Sequence, residues 1–158
     1  MCGVSFYFST KQPYANALEK SLSDTGHRGP DFSDLIEYDC QNFYLGMGHN
    51  RLKIIDLSSN ANQPMVHESG VTLIFNGEIY NYLLLRGELI EKGHAFNSSS
   101  DTEVILNLYI EYGKECFSFL KGMFSIIIYD PKIDQVFMAR DAVGIKPLYI
   151  SILEGEIF

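Results

Sequence analysis

The chain of 158 residues is 46% hydrophobic and 13% aromatic, which is typical of one globular domain and not of a disordered chain. Twelve lysines and arginines against 20 aspartates and glutamates give a formal net charge of −8 without a basic run. Nucleic acid and anionic membrane are therefore excluded as expected partners. No apolar stretch approaches the about 20 residues of a membrane span, and the N-terminus lacks the features of a signal peptide.

The three cysteines are odd in number and far apart, and the four histidines show no metal-ligand spacing. We therefore expect no disulfide framework and no metal ion, as in a chain that resides in the reducing cytoplasm. Cys40 and Cys116 are interpreted as ordinary small residues.

The first half of the chain combines strand-like runs with one short helix and polar loops. Residues 2–9 form an apolar, aromatic run of strand length. After Pro13, apolar residues at positions i, i+4 and i+8 predict a short helix through Tyr14, Leu18 and Leu22. The later features of this half are a turn at residues 26–31, a strand at 43–52, a polar loop at 58–64 and a strand buried on both faces at 71–75.

The second half opens with two helical patterns. The first covers residues 79–92, contains Gly87 and stops at Gly93, a residue type common just after a helix. The second begins with a capping box formed by Ser100 and Glu103. Three strands follow, at residues 123–129, 135–140 and 148–153, of which the first two form a hairpin. Because strands and helices are not regularly interleaved, the order favours an α+β domain with two packed sheets and outer helices.

The start of the chain carries a candidate nucleophile. Removal of Met1 would leave Cys2 with a free α-amino group. A thiol has an ordinary pKa of about 8.5 and an α-amine one of about 7.7–8.0, so the amine can accept the thiol proton near neutral pH. The same residue then supplies a nucleophile and a base. By itself this pattern does not distinguish a catalytic cysteine from an ordinary second residue.

A cysteine that attacks an amide also needs donors for the oxyanion that forms. Asn76 offers a side-chain amide, and Gly77 offers a backbone N–H that no Cβ shields. The alternative interpretation of this dipeptide is a simple turn.

Three charged residues could bind a substrate that carries both a carboxylate and an ammonium group. Arg51, at the end of a predicted strand, could form a bidentate pair with the carboxylate, although a surface arginine is the alternative. Asp101, and likewise Glu78, could hold the ammonium group, although an acid near a helix N-terminus also complements the helix dipole.

These candidates lie within motifs that resemble the glutamine-hydrolysing half of glutamine-dependent asparagine synthetases. The motifs are Met1-Cys2-Gly3, His27-Arg28-Gly29-Pro30-Asp31, Gly48-His49-Asn50-Arg51-Leu52, Ile54-Ile55-Asp56-Leu57, Gln63-Pro64-Met65, Phe75-Asn76-Gly77-Glu78-Ile79-Tyr80-Asn81, Ser100-Asp101-Thr102-Glu103-Val104-Ile105-Leu106, Gly122-Met123-Phe124, Arg140-Asp141 and Gly144-Ile145-Lys146-Pro147-Leu148-Tyr149. In this order they cover essentially the whole chain. That half is a class II glutamine amidotransferase with an N-terminal-nucleophile hydrolase fold.

The resemblance implies a four-layer αββα sandwich over residues 1–158 and the hydrolysis of L-glutamine. It implies Cys2 as the nucleophile, with the Asn76 side chain and the Gly77 N–H as the oxyanion hole. It further implies that Arg51 binds the glutamine carboxylate and that Glu78 and Asp101 bind its ammonium group. The backbone expected to line the pocket is that of Arg51, Leu52, Lys53, Ile54 and Ile55.

The resemblance also carries expectations about the rest of the enzyme. Residues 1–158 fall a little short of a full amidotransferase domain, and they contain no phosphate-binding glycine loop. ATP and Mg²⁺ are therefore expected only in a separate synthetase domain, where ammonia would amidate aspartate, and no cofactor is expected here. Other sugar or carboxylate acceptors, a fragment of a longer enzyme and a non-catalytic binding or regulatory module remain alternatives, and a homodimer is one candidate assembly.

Overall fold

Two antiparallel β-sheets form the centre of the computed structural model, which describes residues 2–158. The first sheet has the strand order β2-β3-β1-β9-β8, and the second has the order β4-β5-β6-β7. The strands are β1 Gly3–Ser9, β2 Phe32–Asp39, β3 Tyr44–Arg51, β4 Met65–Val66, β5 Thr72–Ile79, β6 Gly122–Asp130, β7 Gln135–Arg140, β8 Ile152–Leu153 and β9 Glu156–Ile157. The helices are α1 Ala15–Asp24, α2 Tyr82–Glu91 and α3 Asp101–Tyr112, with 3-10 turns at Gly26–Arg28, Ser59–Ala61 and Gly113–Phe119.

The two sheets face each other across an apolar layer. Side chains alternate along a strand, so one face of each sheet supplies this layer. Leu45 and Met47 of β3 meet Ile74 of β5 and Ile127 of β6 there, and all four are buried. The inner face of each sheet is therefore buried against the other sheet.

Helices cover the outer faces. Helices α2 and α3 pack on the second sheet around Leu89, Ile105 and Leu108, which are buried. Helix α1 lies on the first sheet, where Gly46 of β3 lets Leu18 approach: a Cβ at Gly46 would lie 2.9 Å from a Leu18 methyl carbon. The result is the four-layer αββα sandwich that the family resemblance implies.

Most strand and helix predictions agree with these bounds. The predicted hairpin is confirmed in β6 and β7, and the N-cap of α3 is confirmed because Ser100 Oγ accepts from the Glu103 N–H at 3.3 Å. Glu103 does not complete the capping box, since its carboxylate accepts from the N–H groups of Asn97 (2.8 Å) and Ser98 (2.7 Å).

Two predictions are wrong in part, and one strand was missed. The helix predicted from residue 79 begins only at Tyr82, because β5 continues to Ile79 alongside β6. The strand predicted over residues 148–153 is reduced to Ile152–Leu153. Strand β2 was not predicted, because it lies at the edge of its sheet with half-exposed and exposed side chains and lacks a clear apolar alternation. Among residues 2–158, no helix combines the length and hydropathy needed to cross a bilayer.

Candidate active site

One small cavity gathers the predicted site residues at the end of the layer between the sheets. Its volume is about 110 Å³, well below that of pockets for drug-sized ligands, so it suits a molecule of amino-acid size. The predicted residues that line it are Cys2, Arg51, Leu52, Ile54, Ile55, Asn76, Gly77, Glu78 and Asp101. Lys53 does not line the cavity, and its backbone N–H donates instead to the Asp31 carboxylate at 2.8 Å.

Cys2 precedes β1 and is held at both its side chain and its backbone. The Leu52 N–H donates to Cys2 Sγ at 3.4 Å, and the thiol lies 3.8 Å from the Leu52 carbonyl oxygen. Arg28 Nε donates to the Cys2 carbonyl oxygen at 3.2 Å. The pairing of β1 with β3 thus brings the end of β3 beside the start of the chain. Met1 lies outside the described residues.

The backbone N–H of Gly77 points into the cavity because of its position in β5. Gly77 pairs with Phe124 of β6, and both backbone polar groups of Phe124 bond to Asp141, away from β5. This is therefore a non-hydrogen-bonded pair, and the Gly77 N–H points to the opposite edge of β5. On that edge the Phe75 N–H is bonded to Gln63 and the Ile79 N–H to Asp101, while the Gly77 N–H between them has no acceptor within residues 2–158.

Glycine is required at this position. A Cβ on Gly77 would lie 2.1 Å from the Met123 carbonyl oxygen and 2.7 Å from the Phe124 Cα. Both are backbone atoms, which cannot move aside as the end of a flexible side chain can.

Asn76 faces the layer between the sheets, on the same side of β5 as Ile74. It is 4% exposed and lines the cavity together with Cys2. Its side-chain amide has no hydrogen-bond partner in the described part of the chain, so its N–H donors remain available. Cys2 is thus accompanied by a side-chain donor and a backbone donor from adjacent residues.

Arg51 ends β3 with its guanidinium buried, and only 5% of the residue is exposed. Nη1 donates to the Ser58 carbonyl and to Asn62 Oδ1, both at 2.7 Å, and Nη2 donates to the Asp56 carbonyl. These bonds use at most three of the five guanidinium N–H groups, and burial lowers the pKa of Arg51. The cation is therefore fixed by the loop that follows it, with donors left for an anion.

Asp56 connects this loop to the segment before α3. Its carboxylate accepts from the Ser58 N–H at 2.7 Å, and from the N–H (2.7 Å) and hydroxyl (3.0 Å) of Ser99. Hydrogen bonds from both serines hold the pKa of Asp56 well below its ordinary value. The carboxylate is therefore ionised near neutral pH. Its hydrogen bonds hold the loop that follows Arg51 against the segment that leads to Asp101.

Asp101 is the first residue of α3 and is 5% exposed. Its Oδ2 accepts from the Ile79 N–H at 3.1 Å. Burial raises the pKa of Asp101 to about 6, and the charge of Glu78 acts in the same direction, while hydrogen bonds from backbone N–H groups oppose the shift. Glu78 is exposed at the rim of the same cavity. Two carboxylates therefore face one end of the cavity, and ionising both is costly without a cation.

Lys146 is a cavity residue whose place in the site the sequence analysis missed. It is 4% exposed and lines the cavity from the loop after β7. Asp141 shapes this loop by accepting from the N–H groups of Ile145 (2.8 Å) and Lys146 (2.9 Å). Burial acts to raise the pKa of Asp141, but backbone N–H donors, Lys146 first, outweigh it and lower the pKa. The only sequence signal for Lys146 was its place in the last family motif.

Gln63 is a second missed cavity residue and is 4% exposed. Its motif, Gln63-Pro64-Met65, marked it as a family landmark, but its contacts with β5 and α3 could not be predicted from spacing. Among residues 2–158, no group of three or more histidine, cysteine, aspartate or glutamate side chains is arranged to hold a metal ion.

Comparison with known proteins identifies the family of this chain. The model of the glutamine amidotransferase domain matches residues 1–158. The chain therefore belongs to the class II glutamine amidotransferase family. Among curated relatives, asparagine synthetase [glutamine-hydrolyzing] 1 of Bacillus subtilis is 45% identical over all of this chain, which spans 25% of that protein. Asparagine synthetase [glutamine-hydrolyzing] 2 of Arabidopsis thaliana is 44% identical over 84% of this chain, and 22% of that protein is covered.

Other similar proteins show the breadth of this amidotransferase family. The amidase chry2 of Gibberella zeae is 35% identical over 99% of this chain, and 25% of that protein is covered. The structure of glutamine phosphoribosylpyrophosphate amidotransferase from B. subtilis matches 98% of this chain with a TM-score of 0.81 at 20% identity, over 40% of that chain. This match shows the fold, an αββα sandwich. The amidotransferase chain spans about a quarter of the length of these curated relatives.

Proposed function

We propose that this amidotransferase domain hydrolyses L-glutamine to L-glutamate and ammonia through a thioester on Cys2. One observation carries the proposal: the Cys2 thiol, the Asn76 amide and the Gly77 N–H share one cavity with an arginine on one wall and two carboxylates on another. This arrangement offers a nucleophile, an oxyanion hole and complementary charges for both ends of an α-amino acid.

The reaction can be written so that every proton is accounted for. After Met1 has been removed, the α-amine of Cys2 takes the thiol proton, and Sγ attacks the carbonyl carbon of the glutamine side-chain amide. The oxyanion accepts hydrogen bonds from Asn76 and Gly77. The protonated amine then donates its proton to the leaving nitrogen, and ammonia departs from a γ-glutamyl thioester. Water, deprotonated by the same amine, cleaves the thioester, releases glutamate and restores the thiol.

Substrate recognition rests on the charges of the cavity. Arg51 supplies N–H donors to the glutamine α-carboxylate, which a guanidinium can bind through two parallel hydrogen bonds. Asp101 and Glu78 face the α-ammonium group, which compensates the repulsion between the two carboxylates. Leu52, Ile54 and Ile55 line the wall between them. Lys53 is left out of this role because it lies outside the cavity lining.

The ammonia would serve an amidation elsewhere in the same protein. Three of the curated relatives are about three to four times as long as this chain and are named as glutamine-hydrolysing asparagine synthetases. We infer that a synthetase domain with ATP and Mg²⁺ amidates aspartate with this ammonia. A sugar or another carboxylate as the acceptor is the alternative, and the cytoplasmic location and a homodimer stay predictions.

Replacement of the nucleophile tests the proposal. We expect Cys2→Ala to abolish glutamine-dependent ammonia release, whereas Cys40→Ser, which removes a thiol on the other side of β3, should leave it unchanged. Full ammonia release by Cys2→Ala would contradict the mechanism. Glutamine binding without turnover in the unsubstituted protein would instead support the alternative of a non-catalytic binding module.

A further inference from the structure

The backbone of Phe75, directly before the oxyanion-hole pair, lies on an edge of β5 that lacks a neighbouring strand. Strand β4 pairs with β5 only at Thr72 and Leu73, so it ends before Phe75. Two buried side chains take its place. Gln63 Oε1 accepts from the Phe75 N–H at 2.6 Å, and His49 Nε2 bonds to the Phe75 carbonyl oxygen at 3.1 Å.

His49 reaches Phe75 from the opposite sheet. It is fully buried on β3, on the same face as Met47, and its bond to Phe75 therefore joins the first sheet to the second. A carbonyl oxygen only accepts, so Nε2 must carry the proton of the imidazole. Burial lowers the pKa of His49 to about 4, with the Arg51 cation acting in the same direction, so the ring is neutral near pH 7.

Gln63 reaches from β5 to α3. While its oxygen holds the Phe75 N–H, its Nε2 donates to Thr102 Oγ1 at 3.1 Å. Thr102 adjoins Asp101 at the start of α3. One buried carboxamide therefore links the strand that carries the oxyanion donors to the helix that carries the ammonium-binding carboxylate.

We propose that Gln63 and His49 are positioning residues that fix the two peptides flanking Phe75, Gln63 through the Phe75 N–H and His49 through the Phe75 carbonyl, and thereby aim the Asn76 amide and the Gly77 N–H at the oxyanion. This inference rests on the proposed function. Oxyanion donors act at about 2.7–3.1 Å from the developing charge, and a displacement of about 1 Å can cost on the order of 100-fold in rate. Strand β6 holds the other edge of β5, and on the edge without a partner strand these two side chains supply the hydrogen bonds to the Phe75 backbone.

Two substitutions remove one support each. Gln63→Met keeps the size of the side chain but can bond to neither Phe75 nor Thr102, and His49→Phe keeps a flat ring without the N–H. We expect each to lower kcat about 10- to 100-fold, with KM for glutamine within about twofold of the unsubstituted protein. His49→Gln, whose amide can reach the former Nε2 position, should recover most of the lost kcat.

The matched control is Tyr38→Phe. Tyr38 on β2 also bonds from the first sheet to β5, through its hydroxyl and Thr72 Oγ1, but away from the oxyanion hole. This variant removes a comparable hydrogen bond between the sheets and should leave kcat unchanged.

A tetrahedral analogue distinguishes positioning from a general loss of structure. Glutamate γ-semialdehyde can form a thiohemiacetal with Cys2, whose oxygen would occupy the oxyanion hole, whereas glutamate binds without forming it. Gln63→Met and His49→Phe should weaken inhibition by the aldehyde by about the same factor as kcat, while glutamate affinity and the alkylation of Cys2 by iodoacetamide stay unchanged.

Several results would overturn the inference. Folded variants with unchanged kcat would do so, as would equal losses in kcat, glutamate affinity and Cys2 alkylation, which indicate a structural role. If both variants fail to fold, Thr102→Val tests the same link by releasing only the outer end of Gln63, and an unchanged kcat there would contradict the role of Gln63. Absence of glutamine hydrolysis in the unsubstituted protein would refute the proposed function itself, and the inference with it.

Discussion

The charge of Asp101 is costly in the absence of substrate because the carboxyl is buried. Its pKa in the folded chain is about 6, above its ordinary value of 3.8, mainly because the carboxyl is buried. Between these pH values the unfolded chain has already lost the proton that the folded chain retains. Stability therefore falls as pH rises from about 4 to 6, and it stays lower at neutral pH.

The first prediction follows from this decrease in stability with rising pH. Asp101→Asn keeps an oxygen for the Ile79 N–H but has no charge, so we expect it to raise the free energy of unfolding at pH 7 by on the order of 1–3 kcal/mol. The gain should vanish near pH 4, where the native carboxyl is also neutral. Glutamine binding should weaken at the same time. Denaturant unfolding at both pH values measures the effect, and equal gains at pH 4 and pH 7 would contradict it.

The second prediction concerns Asn76. If its amide binds the oxyanion, Asn76→Ala should lower kcat about 100- to 1,000-fold with little change in KM, because the contact strengthens only in the transition state. Asn107→Ala is the control: Asn107 is equally buried at 4%, but its amide donates to the Ala95 carbonyl. Steady-state measurement of ammonia release compares the two variants. An effect of Asn76→Ala confined to KM would argue against oxyanion binding by Asn76.

Much of the candidate site could be predicted because its residues carry recognisable chemistry within family motifs. Cys2, Asn76 and Arg51 each have a side chain suited to the proposed step, and the structure brings them to one cavity. Gln63 and Lys146 were missed as site residues because their positions depend on contacts with distant segments. Gln63, for instance, bonds to residues 12 and 39 positions further along the chain.

At the scale of elements, the apolar pattern and the backbone pairing of β5 give different ends for the strand. The apolar run ends at Phe75, so the pattern alone ends the strand there. The structure continues it to Ile79, because residues 76–79 still pair with residues 122–125 of β6. This continuation orients the Gly77 N–H toward the cavity, so the geometry of the proposed oxyanion hole depends on a pairing that hydrophobicity does not reveal.

Two glycines, one in the middle of α2 and one just after its end, provide the third prediction. Gly87 is exposed in the middle of the helix with open space around it, and Gly93 follows the helix with φ +97° and also has open space. Gly87→Ala should stabilise the fold by about 0.5–1 kcal/mol, whereas Gly93→Ala should destabilise it by a similar or larger amount. Thermal unfolding of the two variants compares them directly. Stabilisation by both would mean that backbone conformation does not decide the outcome.

At the scale of the whole molecule, the order of elements predicted the class of fold better than the details of its edges. The buried strands β5 and β6 were predicted from strong apolar runs, and β3 was predicted from the partial alternation of Phe43, Leu45 and Met47. Strands β2 and β8 form the open edges of the first sheet, where side chains are largely half-exposed or exposed, and the two-residue strand β9 lies next to β8. Whether such a short or exposed segment forms a strand depends on the strand that it pairs with, and a single sequence does not reveal that partner.

The central claim is that Cys2, with a free α-amine, is the nucleophile, and intact mass spectrometry of the protein after reaction with a glutamine-like electrophile tests it most directly. We expect a mass that lacks Met1, one label on Cys2, protection by L-glutamine, and loss of ammonia release in step with labelling. An active protein that retains Met1, or inactivation that accompanies a label on Cys40 or Cys116, would contradict the account.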